Sequence, residues 1–125
     1  MLFRSTVQEF YEEVGGDYAA AKKILMMDKM ILRYLPKLAE DPSRSLLQAA
    51  WEKKDRKGMF EALHAMKGVC ANLGLTSLAV KAGSALEPLR PGSTLAVSDE
   101  ELSRQVKEIC SQFDQTISKM KQIQA

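Results

Sequence analysis

The sequence predicts an all-α protein, an up-and-down antiparallel four-helix bundle with a short additional N-terminal helix. Three observations carry that prediction. Apolar residues recur three and four positions apart through most of the chain, the spacing that stacks side chains on one face of a helix. Turn signals cut the chain into pieces of helical length with short connections, which make successive helices antiparallel neighbours. No segment shows the alternation of a half-buried strand. With 125 residues, 46% of them hydrophobic and 27% charged, the chain has the length and composition of one folded domain, expected to span residues 1–125.

The first helix is expected from about Ser5 to Val14, stopping at Gly15-Gly16, after which Asp17 offers a side-chain oxygen to cap a second, long helix. Ile24, Met27, Ile31, Leu35 and Leu38 form its apolar stripe. Pro36 removes a backbone donor inside this run and predicts a kink or an end near Tyr34. Asp41-Pro42-Ser43 marks a stop and a fresh start, with Leu46, Leu47, Ala50 and Trp51 facing inward and Asp55 closing the segment. Lys57 to Leu73 is the next helix, ended by Gly74 in the position of a left-handed cap. Ser77 is expected to cap the helix that turns Leu78, Ala82, Ala85, Leu86 and Leu89 inward, before Pro88 and Pro91-Gly92-Ser93 terminate it. Ser98-Asp99-Glu100-Glu101 has the pattern of a capping box ahead of Leu102, Val106, Ile109, Phe113, Ile117 and Met120.

Eighteen basic and sixteen acidic residues leave a formal charge of +2, too small for the electrostatic footprint of a nucleic-acid binder. No stretch approaches the roughly 20 apolar residues of a membrane span, and Glu9 interrupts the N-terminus before a signal peptide could form. A cytoplasmic monomer is expected. Cys70 and Cys110 lack metal or disulfide-framework spacing and are expected to be free thiols.

On a wheel of the helix Lys57–Leu73, the residues Met59, Leu63, Met66, Cys70 and Leu73 gather on one side, with Phe60 and Val69 at its margins. His64 points roughly 140° away from that stripe and shares the outer face with Lys57, Glu61, Gly68 and Ala71. The imidazole should therefore meet solvent. Gly68 at i+4 and Ala71 at i+7 leave the surface beside it nearly bare of side chains. Glycine inside a helix costs roughly 1 kcal/mol relative to alanine, so local stability does not account for Gly68, whereas access for a partner does. Lys67 at i+3 stands at the edge of that face, within reach of an anion formed on the ring.

His64-Ala65-Met66-Lys67-Gly68 followed by Leu73-Gly74 resembles the H-x-L-K-G-x-x-x-x-L-G signature of histidine-phosphotransfer domains. Gly15-Gly16-Asp17 is similar to the family's helix-capping segment, and Leu78 and Leu86-Glu87 to its following helix, so the resemblance covers most of the chain. Met66 stands where leucine is usual, an exchange that keeps apolar volume at a core position. Val69 and Cys70 occupy places where many members carry small or hydroxyl residues.

The resemblance implies a phosphorelay intermediate. His64 would accept a phosphoryl group from a receiver-domain aspartyl phosphate and pass it to another receiver, with Lys67 and Gly68 supporting the phosphoryl group. Lys57, Glu61, Ala65 and Ala71, with Leu75 beyond the helix end, would meet the partner, a receiver domain of a response regulator or of a hybrid histidine kinase. An exposed neutral imidazole is a nucleophile near pH 7 without a separate base. This chain needs no cofactor of its own; Mg²⁺ would belong to the receiver. With a single histidine and no convergent carboxylates, no metal site is expected, and without a glycine-rich nucleotide loop the chain is a phosphoryl carrier rather than an ATP-using kinase. The alternative is an interaction module, a scaffold or inhibitor that binds receivers or kinases without carrying phosphate. A helical ligand or metal carrier is disfavoured by the apolar character of the inward stripes.

Overall fold

The computed structural model describes residues 6–123, so the expected start of the first helix at Ser5 lies outside the described residues. Among the described residues seven α-helices follow one another: α1 (Val7–Glu13), α2 (Tyr18–Leu25), α3 (Asp28–Tyr34), α4 (Ser43–Glu52), α5 (Arg56–Asn72), α6 (Thr76–Leu86) and α7 (Asp99–Met120). Single 3₁₀ segments, Leu35–Glu40 and Glu87–Leu89, extend α3 and α6. The protein is all-α, with no strand among the described residues.

Local chemistry explains most boundaries. Thr6 and Glu9 exchange side-chain-to-backbone hydrogen bonds of 3.1 and 3.2 Å, a reciprocal cap that opens α1. Asp17, Asp55 and Ser98 accept the N–H groups of Ala20, Gly58 and Glu101 at the starts of α2, α5 and α7. The Glu101 carboxylate turns to Arg104 and Gln105. Gly74, at φ +71°, ends α5 in the left-handed conformation. Pro36 sits where α3 has passed into the 3₁₀ segment, so the α-helix ends at Tyr34 as the missing donor requires.

Three expectations fail. The long second helix is two helices, broken at Met26, whose φ of +72° and the N–H of Met27 donating to Leu25 O at 2.9 Å make a tight reversal. Beyond that break Ile31, Leu35 and Leu38 are buried, but Ile24 and Met27 are 52% and 51% exposed, because the reversal takes them off the stripe. Leu46 is exposed too: α4 faces inward through Ser43, Leu47 and Ala50, three and four residues apart, and Leu46 lies about 65° off that line. Ser77 is not a cap. The helix begins after Leu75, and the Ser77 N–H donates to Gly15 O at 3.1 Å while its hydroxyl accepts from Gln112 at 2.9 Å.

One contiguous apolar core runs from α1 to α7 through residues such as Phe10, Leu35, Leu47, Leu63, Leu86 and Phe113. Burying each such side chain contributes about 1.5–3 kcal/mol. α5 packs against α4 and α6, and α7 against the same two helices, with Leu35–Glu40 also on α7. Polar ties flank the α7 contacts. Arg44 grips Asp114 through two bonds of 3.0 and 2.8 Å, and Lys81 donates to Glu108 and Gln112 at 2.9 and 2.6 Å.

Candidate functional site

The C-terminal end of α5 is held by the turn between α1 and α2. The Asp17 N–H donates to Gly74 O at 2.8 Å, and the Tyr11 hydroxyl, buried, donates to Leu73 O at 2.6 Å. With the Ser77 N–H on Gly15 O, the two turns are joined in both directions. They approach so closely that a Cβ on Gly16 would lie 2.8 Å from Gly74 O, and one on Gly74 2.8 Å from both Ala21 Cβ and Asp17 O. Burial pushes the Tyr11 hydroxyl well above the usual tyrosine range, so it stays a donor at any physiological pH. These contacts anchor the helix that presents His64.

His64 is exposed near the middle of α5. Its ring stacks on Phe60 one turn earlier, with centroids 5.9 Å apart and planes inclined by 21°. Lys57, Glu61, Ala65 and Ala71 are exposed on the same helix. A Cβ built on Gly68 would meet nothing within 4 Å, so that glycine leaves open space rather than close helix packing. Leu75 corrects the sequence reading: it is 1% exposed, because the turn after Gly74 folds it back into the core, and it cannot join a surface around His64.

Lys67 crosses to α6. A Cβ on Gly83 would lie 3.4 Å from both Cδ and Cε of Lys67 and 3.7 Å from its Nζ, so Gly83 lets the lysine lie flat over the neighbouring helix. One turn further on, Glu87 accepts two bonds from Arg90, of 3.2 and 3.1 Å. Arg90, and more weakly Lys67, hold the Glu87 carboxyl below the usual carboxylate range. The Arg90 guanidinium carbon stands 5.5 Å from the centroid of Phe60, the ring on which His64 stacks. Sequence reasoning missed Gly83, Glu87 and Arg90 as neighbours of the site, since only the packing of α5 on α6 brings them there. Phe60 carried a signal, four residues before His64. Among the described residues no group of three or more His, Cys, Asp or Glu side chains is arranged to hold a metal.

An all-helical fold with a lone exposed histidine on a helix whose next outward position is a glycine fits a carrier that offers the ring to another protein's reactive group. A family model described as the Hpt domain matches residues 29–122, and the chain belongs to that family. Hpt domains carry out histidine phosphotransfer in two-component signalling and interact with receiver domains and kinases. No curated protein and no solved structure matches the chain. Helices α1 and α2, which hold the end of α5, lie before the matched range. No helix among the described residues is long and apolar enough to cross a membrane.

Proposed function

We propose that the protein is a histidine-phosphotransfer protein of a two-component phosphorelay, with His64 as phosphoryl acceptor. The observation that carries this reading is the exposed His64 ring beside the open space at Gly68. A ring nitrogen attacks the phosphorus of a receiver's aspartyl phosphate. The N–P bond forms as the acyl P–O bond breaks, the aspartate leaves as carboxylate, and the second ring nitrogen keeps its proton, so charge balances across the step. The reverse reaction passes the phosphoryl group to another receiver. Such transfer depends on in-line placement and on neutralising the phosphoryl oxygens, tasks that fall to Lys67 here and to Mg²⁺ held by the receiver.

The docking face consists of Lys57, Glu61, Ala65, Gly68 and Ala71 around His64 and accepts receiver domains of response regulators or hybrid histidine kinases. The closed packing of α4, α5, α6 and α7 supports an up-and-down four-helix bundle as its scaffold, in a single-domain cytoplasmic monomer of residues 1–125. Incubation with a phosphorylated receiver should label the protein at one acid-labile, base-stable site, and His64→Gln should lose the label. Labelling that survives in His64→Gln overturns the assignment, and binding to receivers without any labelling identifies a scaffold instead.

A further inference from the structure

Arg90, a cation beside the ring on which His64 stacks, is paired with a single carboxylate. Arg90 reaches Glu87 through two hydrogen bonds and also lies over Phe60, the ring on which the imidazole stacks. Lys67, one turn after His64, lies along Gly83, and Glu87 stands one turn beyond Gly83 at the start of the 3₁₀ segment that follows α6. Glu87 and Arg90 are about half exposed, their side chains at 46% and 45% of full accessibility, so water weakens their pairing and both can move.

We propose that Glu87 is a charge latch: in the resting protein it pairs with Arg90, and a phosphoryl group on His64 takes that guanidinium from it. The inference rests on His64 being phosphorylated. A phosphoryl group carries close to two negative charges at neutral pH and three strong acceptor oxygens, against one charge on the carboxylate. Arg90 is suited to the exchange because its planar fork matches phosphoryl oxygens in the same two-bonded way that it now matches Glu87. Glu87 thereby opposes retention of the phosphoryl group. The resting site keeps Arg90 neutralised, and the phosphorylated site must win it, which keeps the group ready to leave for the next receiver. Arg90 and Glu87 act as positioning residues in this scheme.

Phosphoramidate, a small phosphodonor that needs no receiver, tests the latch on the full chain, with ³¹P NMR following decay of phosphohistidine. Glu87→Gln should lengthen the phosphohistidine half-life about threefold, the scale of one exposed ion pair, and Glu87→Gln combined with Arg90→Ala should abolish the gain. In the wild type, phosphorylation should displace the Arg90 Nε–H resonance, a shift that a merely structural glutamate would not produce. A half-life unchanged or shortened in Glu87→Gln, or an unmoved Arg90 resonance, overturns the latch. If phosphohistidine forms and obeys these expectations while no receiver transfers phosphate, the relay reading fails and the latch stands. If receivers transfer but the half-life ignores Glu87, the latch alone fails.

Discussion

A methyl group added at Gly68 meets no atom within 4 Å, and the residue lies inside a continuous helix. Gly68→Ala should therefore stabilise the protein by about 0.5–1 kcal/mol, because alanine loses less backbone freedom on folding. Thermal unfolding should register this as a rise of about 2–5 °C. Phosphoryl transfer from a receiver should slow in the same variant if the glycine exists for close approach, and an unchanged rate would remove that role. The exposure of His64, Lys67 and Gly68 was legible in the sequence because they lie on one helix, where spacing fixes direction. Leu75 was misplaced because it follows Gly74, beyond the reach of a helical wheel. Glu87, Arg90 and Gly83 were not legible as neighbours of His64, since two helices must pack before they meet.

The break between α2 and α3 shows what periodicity can and cannot report at the scale of elements. Ile24, Met27 and Ile31 keep the spacing of an unbroken helix, yet the chain reverses at Met26, with the Met26 N–H donating to Lys22 O and that of Met27 to Leu25 O. Nothing in the residue types signals the reversal, because a methionine at φ +72° is where glycine would be expected. Met26 is 80% exposed, so its side chain adds little packing to offset the backbone strain. Met26→Gly should raise stability by about 1 kcal/mol in urea unfolding, the lower end of the cost of a left-handed non-glycine residue. A loss of stability would show that the methionine side chain contributes more than its exposure indicates. Elsewhere the element boundaries were readable, since Asp17, Asp55, Ser98, Gly74 and Pro36 each act through local geometry that sequence specifies directly.

For the molecule as a whole, the core is the source of its response to alkali. Burial pushes the Cys70 thiol up to about 12 from an ordinary 9.0, and raises Cys110 and Tyr11 as well. The folded protein therefore keeps a proton at Cys70 that the unfolded chain releases. Its stability is intact below about pH 9 and falls as pH rises from there toward 12, by about 1.4 kcal/mol per pH unit from Cys70 alone. Urea unfolding at a series of pH values should show this decline, shallower by about one proton in Cys70→Ala than in the wild type. An equal slope in the two proteins would mean that Cys70 is not the group responsible. The all-α class and most inward faces were legible at this scale because helical spacing and core burial express the same constraint. The way in which α1 and α2 attach to the rest was not, because its backbone bonds and the long-range bond from the Tyr11 hydroxyl to Leu73 O exist only once the two turns meet.

That attachment has an energetic meaning for the helix bearing His64. The Asp17 and Ser77 amides each donate across the joint between the α1–α2 turn and the α5–α6 turn, so neither can be released to water without parting the two turns. Opening the end of α5 therefore requires breaking its bonds to the turn between α1 and α2. The free energy needed to fray the helix that bears His64 from its C-terminal end is set in part by Tyr11, Gly15 and Asp17, residues that precede the family-matched region.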